Sequence, residues 1–369
     1  MSTVRLFVTR LAEDRLLLAL LAALAVLLLL VPERIAELPR LVDWGTIAAL
    51  AGLLVLSRGI EDSGVLSRAG QSLLTRAHGE RRLAATLVLF SAALSALVTN
   101  DVALFIVVPL TAGLARVAQL PFGRLVIFEA FAVNAGSTAS PVGNPQNLFL
   151  WQSSSAGFIE FTLAMLPLAG ALLLLVLALI PLGFPARRIA ITTRDAPPPL
   201  DKRLMRLSLA LYLPFLVAAE IGYTLWAALS VIALYLAVAR HVLREVDWLL
   251  LLVFVLMFVD LGLLAGVPWV AAQVPALLDL PGGLLLAGAL SSQVISNVPA
   301  TIFLDAFTDD WRTLAWAVAV GGFGTAIGSL ANLIALRLSR QPGLWREFHL
   351  WSMPVLLLAF GIAWGLLKY

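Results

Sequence analysis

The residues best equipped for chemistry lie in one short stretch, Asn134 to Asn147, which reads NAGSTASPVGNPQN. Pro141 and Pro145 each remove an amide donor, and Gly136 and Gly143 favour other backbone angles, so no continuous helix can run through it. A backbone that leaves the helix presents carbonyl oxygens. Ser137, Thr138, Ser140, Asn144, Gln146 and Asn147 add neutral hydroxyl and amide oxygens, a donor set suited to a sodium ion or a polar solute. A second stretch, Gly321 to Leu333 (GGFGTAIGSLANL), offers Thr325, Ser329 and Asn332. Two further polar breaks, Thr99-Asn100-Asp101 and Ser296-Asn297-Val298, interrupt apolar runs. At each of these tips a helix is expected to begin just after the Asn, a good N-cap, with Pro299 in the first turn of the second one.

Carboxylates within apolar runs come next. Each costs roughly 2.5 to 3.5 kcal/mol to insert in a bilayer, so each is a candidate for function. Asp101 at the first tip either holds a cation, carries a coupling proton or caps a helix. Glu129, one to two turns before the first broken stretch, is either a proton relay or a paired structural acid. Asp260 reads as a scaffold residue, and Glu220 as interfacial. His78, His241 and His349 fall in flanks between apolar runs, away from any metal or catalytic set, and the absence of cysteine removes thiolate chemistry.

These residues need a framework of membrane helices to hold them. Of 369 residues, 61% are hydrophobic and 13% charged, and the mean hydropathy is +0.98. No water-soluble domain of this length carries such a surface. Apolar windows recur along the whole chain, at Leu16 to Val31, Val42 to Leu56, Leu83 to Val98, Val102 to Val117, Leu125 to Leu150, Thr162 to Pro181, Leu207 to Gly222, Leu225 to Ala239, Trp248 to Ala265, Leu284 to Ile295, Pro299 to Phe307, Leu314 to Leu336 and Trp351 to Leu367. The first is read as a membrane helix rather than a signal peptide, for want of a small-residue cleavage site. Val65 to Arg76 is expected as a cytoplasmic surface helix capped by Ser63. Leu284 to Phe307 and Leu83 to Val117 are each expected to enter the membrane and return, as re-entrant hairpins. With both treated so and the N-terminus cytoplasmic, nearly all Arg and Lys fall on the cytoplasmic side; only Arg34, Arg40, Arg312 and Lys368 fall outside. This charge arrangement also accounts for the net charge of +3 without a nucleic-acid partner. The polar interval 186–206 is expected to be an extended cytoplasmic linker between a first half, 1–185, and a second half, 207–369, of one membrane domain.

The halves resemble each other in three places. Val42-Asp43-Trp44 pairs with Val246-Asp247-Trp248, Asn100 with Asn297, and Gly136, Gly143, Asn147 and Leu148 with Gly321, Gly328, Asn332 and Leu333. On the expected topology the copies are inverted. Inverted repeats with discontinuous helices meeting near the midplane are the architecture of alternating-access carriers. Two hairpins and two broken helices would aim four helix N-termini at one place, roughly two positive charges at most, a field suited to a carboxylate or oxyanion. The fold class expected is thus an all-α polytopic membrane protein of two inverted repeats.

The tips Val98-Thr99-Asn100-Asp101 and Ile295-Ser296-Asn297-Val298-Pro299, with SPVGNPQN and AIGSLAN, resemble the ion transporter superfamily of divalent-anion/sodium symporters, citrate permeases and arsenite permeases, and are closest to small anion permeases. The resemblance implies a first site at Thr99, Asn100, Gly136, Ser137 and Asn144, with sodium at Thr99, Asn100 and Ser137. It implies a second site at Ser296, Asn297, Gly324, Thr325 and Asn332. It also implies a homodimer in the lipid bilayer of a bacterial inner membrane, each protomer sliding a transport domain against a scaffold. The leading expectation is a carrier of a small anion coupled to sodium or protons, with no cofactor. Arsenite or antimonite efflux and sodium/proton antiport are the alternatives, the latter exchanging at Asp101 and Glu129. An intramembrane enzyme fails for want of a nucleophile paired with His or of a His/carboxylate metal set.

Overall fold

Apolar runs become helices here, and the helices end where proline, glycine and small polar residues interrupt them. The computed structural model describes residues 15–74, 79–118, 120–189 and 199–368. The basic N-terminal segment with Arg5 and Arg10, the positions Arg76 and His78, and linker residues 190–198 lie outside the described residues. In the first half the helices are α1 (Arg15–Leu30), α2 (Leu38–Leu41), α3 (Trp44–Asp62), α4 (Val65–Leu74), α5 (Glu80–Leu97), α6 (Asn100–Ala118), α7 (Phe122–Ser137), α8 (Pro145–Ser153) and α9 (Phe158–Gly183). In the second they are α10 (Lys202–Glu220), α11 (Thr224–Val238), α12 (Arg240–Glu245), α13 (Trp248–Ala265), α14 (Pro268–Leu278), α15 (Gly283–Ile295), α16 (Asn297–Asp305), α17 (Trp311–Gly321), α18 (Leu330–Ser339) and α19 (Leu344–Leu367). Among the described residues there is no β-strand, only an isolated bridge between Gly79 and Arg188.

Four helices, α3, α9, α13 and α19, are each long and apolar enough to cross a bilayer alone. A fifth candidate is α1 taken with the turn of 3-10 helix and α2 behind it, bent by 119°. Pro32 sits in the first turn after that bend, where its missing amide costs nothing. The windows Leu125 to Leu150 and Leu314 to Leu336 are broken as the proline and glycine content requires, into α7 and α8, and into α17, a 3-10 turn over Ala326–Gly328, and α18. Helix α14 was not expected: Pro268 and Pro275 disguise a run that uses the first as a helix start. The linker is shorter than 186–206, because Asp201 caps α10 at the amides of Arg203 and Leu204. Ser63 does accept from the amide of Val65 at the head of α4.

Several equivalent positions of the two halves make equivalent bonds, although Asp43 caps its helix and Asp247 does not. The indole N–H of Trp44 donates to the carbonyl five residues back, Pro39, and that of Trp248 donates five residues back to Leu243. Helix α5 packs on α7 as α15 packs on α17. Gly136 and Gly321 sit where these helix pairs come close: a Cβ on Gly136 would fall 2.1 Å from the carbonyl oxygen of Ala92, and one on Gly321 2.4 Å from Ser292 Cβ. Aromatic rings join the halves, with Phe131 of α7 stacked on Phe323 at 6.1 Å between centroids.

Replacing Gly136 by Ala must push backbone against backbone, so Gly136→Ala is expected to lower stability by about 1–3 kcal/mol. Gly113→Ala, with nothing within 4 Å of the added methyl, should leave it unchanged or slightly higher. Thermal unfolding of both in detergent checks this.

Candidate functional site

Each broken stretch is held by one asparagine. The side-chain amide of Asn147 donates to the carbonyls of Ser137 at 3.3 Å, Thr138 at 3.2 Å and Ser140 at 3.1 Å. That of Asn332 donates to Gly322 at 2.8 Å and Thr325 at 3.2 Å. The carbonyls ten and seven residues before each Asn are thus satisfied in both copies. At the head of the helix that follows, Asn144 accepts from the amide of Asn147 and Ser329 from that of Ala331, again at matched positions. Each stretch is also tied to the helix running to the neighbouring tip. The Ser140 hydroxyl donates to the carbonyl of Ala96 at 2.7 Å, and the Thr325 hydroxyl to that of Gln293 at 3.1 Å. The carbonyl of Gly143 accepts from the amide of Asn100 at 2.9 Å, which fixes the first tip on the first break.

The two stretches then meet directly. Asn134 donates to the carbonyl of Gly322 at 3.0 Å and to the side-chain oxygen of Asn332 at 2.8 Å, and accepts from the Ser329 hydroxyl at 3.0 Å. Sequence reasoning passed over Asn134 as a site residue, and over Gln293. The Gln293 amide donates to the carbonyls of Ala289 and Gly321 while its oxygen accepts from the amide of Thr325 at 2.7 Å. Each is the one side-chain amide in its helix, and that was the only signal available. His349, read only as a flank residue, accepts from the amide of Ala326 and so supports the second break from α19.

In front of this network lies a cavity of about 350 Å³. The first residues of four helices line it: Asn100 of α6, Pro145 of α8, Asn297 of α16 and Leu330 of α18. Asp101, Ser296 and Val298 from the tips line it too, and apolar residues of α13 such as Phe254 and Met257 form the facing wall. Among the described residues no Lys or Arg lines it. Of the expected site residues, then, Asn100, Asp101, Ser296 and Asn297 reach the cavity. Gly136, Ser137, Thr138, Asn144, Asn147, Gly324, Thr325, Ser329 and Asn332 stand behind it and hold the broken backbones.

Neither tip Asn acts as the expected cap. The Asn100 oxygen accepts from the amide of Asp101, and the Asn297 oxygen from the Ser296 hydroxyl at 3.4 Å. Both residues already lie inside their helices, so their side chains are one position too late to reach the amides a cap would serve. Ser296 takes φ 73° and ψ 157°, a conformation that favours glycine, and it does so on the cavity wall. Several acceptor oxygens near the first tip and break are buried and unused: Thr99 Oγ1, Asp101 Oδ1, Gln146 Oε1 and Asn147 Oδ1. Thr111 of α6 donates to one oxygen of Glu129 on α7, whose other oxygen is buried without a partner; Glu129 does not line the cavity. Asp260 on α13 is 3% exposed, with both carboxylate oxygens unpartnered. The carboxylate of Glu220 accepts from Trp151 Nε1 and from the amide of Phe158. Among the described residues no group of three His, Asp or Glu could hold a metal ion.

A family profile described as a citrate transporter matches residues 6–321. The inner membrane protein YbiR of Escherichia coli is 46% identical over 337 residues, which cover 89% of each chain. A silicon efflux transporter of rice is 32% identical over 126 residues, 34% of this chain and 26% of that one. Among solved structures, the YdaH transporter of Alcanivorax borkumensis, described as having an unusual topology, aligns with a TM-score of 0.55 at 19% identity. That alignment covers 89% of this chain and 87% of that one, a likeness of fold.

Two outcomes are expected of the network. Asn134→Ala and Asn332→Ala share a hydrogen bond, so their stability losses should be non-additive by about 0.5–3 kcal/mol in a double-mutant cycle; thermal or denaturant unfolding of the four proteins measures it. Ser296→Gly relieves the strained tip and should raise stability, the strain being on the order of 1–3 kcal/mol.

Proposed function

The chain belongs to the citrate transporter family, and from that premise we propose that it is a secondary active carrier of a small anion, coupled to sodium or protons and working by alternating access. It is a membrane transporter and not an enzyme. One observation carries the anion reading: four helix N-termini border one cavity that, among the described residues, no Lys or Arg lines. Each terminus carries at most about half a positive charge, although caps such as Asn144 and Ser329 already take some of its first-turn amides. In an apolar enclosure that field favours a carboxylate or an inorganic oxyanion. The unused oxygens of Thr99, Asp101, Gln146 and Asn147 support a coupling cation beside it, sodium or a proton on Asp101.

The matched hydrogen bonds of the two halves support reading them as inverted repeats, with α5–α6 and α15–α16 as re-entrant hairpins and the N-terminus in the cytoplasm. In this reading the carrier is a homodimer in a bacterial inner membrane. Each protomer moves the hairpins and broken helices as one body against a scaffold that includes α3 and α13. Glu129 serves as a proton relay or as a structural acid bonded to Thr111.

A second reading is efflux of a neutral hydroxide such as arsenous acid. The mostly apolar cavity wall and the partial likeness to a silicon efflux transporter favour it. Loss of arsenite resistance on deletion of the gene would support this reading over anion uptake.

Thermal unfolding of the purified protein against sodium, pH, dicarboxylates, oxyanions and arsenite separates these readings. An anion at about 100 times its Kd contributes about 2.7 kcal/mol, so the anion carrier should show a higher Tm with one anion, dependent on sodium or on low pH. Thr99→Val and Asp101→Asn should weaken the cation-dependent part by about 1–3 kcal/mol. No response to any anion would refute the anion reading.

A further inference from the structure

A second cavity, of about 550 Å³, lies beside the central one and has a different character. Arg34, Arg40, Asp43 and Asp305 are among its lining residues, so it is a charged vestibule where the central cavity is mostly apolar. Three helices line both. On α8, Pro145 faces the central cavity, while Phe149 and Ser153 on the same helix face the vestibule. On α16 the division falls between Val298 and Pro299 on one side and Ile302 and Asp305 on the other. On α13 the two sets interleave on neighbouring sides of the helix, Phe254, Met257 and Leu261 towards the central cavity and Phe258, Gly262 and Ala265 towards the vestibule. Four residues of helix advance about 6 Å, so along α8 and α16 the cavities lie end to end. At the division the Phe149 and Phe258 rings meet edge to face, centroids 5.3 Å apart, and the two residues are 5% and 3% exposed.

We propose that the vestibule is the second mouth of the translocation route, and that Phe149 on Phe258, backed by Ile302, is the barrier closing it from the central cavity. The proposal deepens the carrier reading above and rests on it. The chemistry of the seam suits a barrier that opens. Two rings in edge contact hold no hydrogen bond, so parting them strands no buried polar group, whereas every neighbouring break in the backbone is locked by donors and acceptors. The wall carrying Phe258 is anchored: Arg34 donates to the carbonyl of Gly262 at 2.9 Å and to Glu37 at 2.9 Å. No such tie is made by the Phe149 ring, which sits on the helix that begins at the central cavity. A solute leaving the helix N-termini by this route passes from an apolar seam directly into a space lined by charged side chains.

The chain has no cysteine, so single cysteines report access without background. Ser153→Cys marks the vestibule and Val298→Cys the central cavity; a membrane-impermeant maleimide is applied to intact cells and to inverted vesicles, with no solute present. Ser153→Cys should label from one face only. From that face Val298→Cys should label slowly, and Phe149→Ala should speed it by about two- to tenfold, the population shift that loss of such an aromatic contact allows. The labelling of Ser153→Cys should stay unchanged in the same background. Phe258→Ala tests the seam from the other helix and should act in the same direction. Unchanged Val298→Cys labelling in both variants, or no labelling of Ser153→Cys from either face, would overturn the proposal. Either failure leaves the anion-binding test above unaffected, because labelling requires no solute.

Discussion

Everything in this molecule depends on one constraint: a backbone that leaves the helix inside hydrocarbon must find partners for its carbonyls and amides within the protein. Asn147 and Asn332 meet that need, each spreading one side-chain amide over carbonyls of the break before it. With the carbonyls turned inward to these amides, the helix that follows each break can begin in the interior with its first residue on the cavity. An apolar side chain at position 147 would strip the Thr138 carbonyl of this donor, at about 1–3 kcal/mol, and one at position 332 would take from the Gly322 and Thr325 carbonyls one of the two donors each has. The breaks are therefore rigid, hydrogen-bonded units, and the helix ends they expose are fixed in place.

The same bonds explain why two halves make one site. Asn134 lies in the first half but spends its side chain on the second, on Gly322, Asn332 and Ser329. Through Asn332 the network of one break becomes continuous with that of the other, and the four helix starts become a single array. A low dielectric around such a network strengthens each bond in it and raises the cost of leaving any member unpaired. The apolar contact of α8 with α13 at Phe149 and Phe258 has no comparable tie. Hydrogen bonds hold the tips to the breaks, while the ring contact between α8 and α13 is apolar.

Much of this was legible in the sequence, for physical reasons that also mark where reading stopped. Helix α13 runs from Trp248 to Ala265 as its uninterrupted apolar run requires, and the prolines of SPVGNPQN place the first break where it is found. The weaker prolines of α14 misled, because Pro268 is acceptable at a helix start and only the fold shows that it is one. Composition told which oxygens could bind a ligand but not which were already engaged. Ser140 and Thr325 spend their hydroxyls on the carbonyls of Ala96 and Gln293, and most of the expected ligands prove to be the support of the cavity rather than its wall. Asn134 and Gln293 were missed because a single amide in a membrane helix has no local pattern; its meaning lies in the distant backbone that the fold brings to it.

The most direct test of the account is a cryo-electron microscopy structure of the protein equilibrated with the anion that stabilises it. The account predicts solute density in the central cavity, in contact with both tips, at Asn100 and Asn297, and in front of the helix starts at Pro145 and Leu330. Density that touches one half alone, or that lies away from the four helix starts, would contradict it.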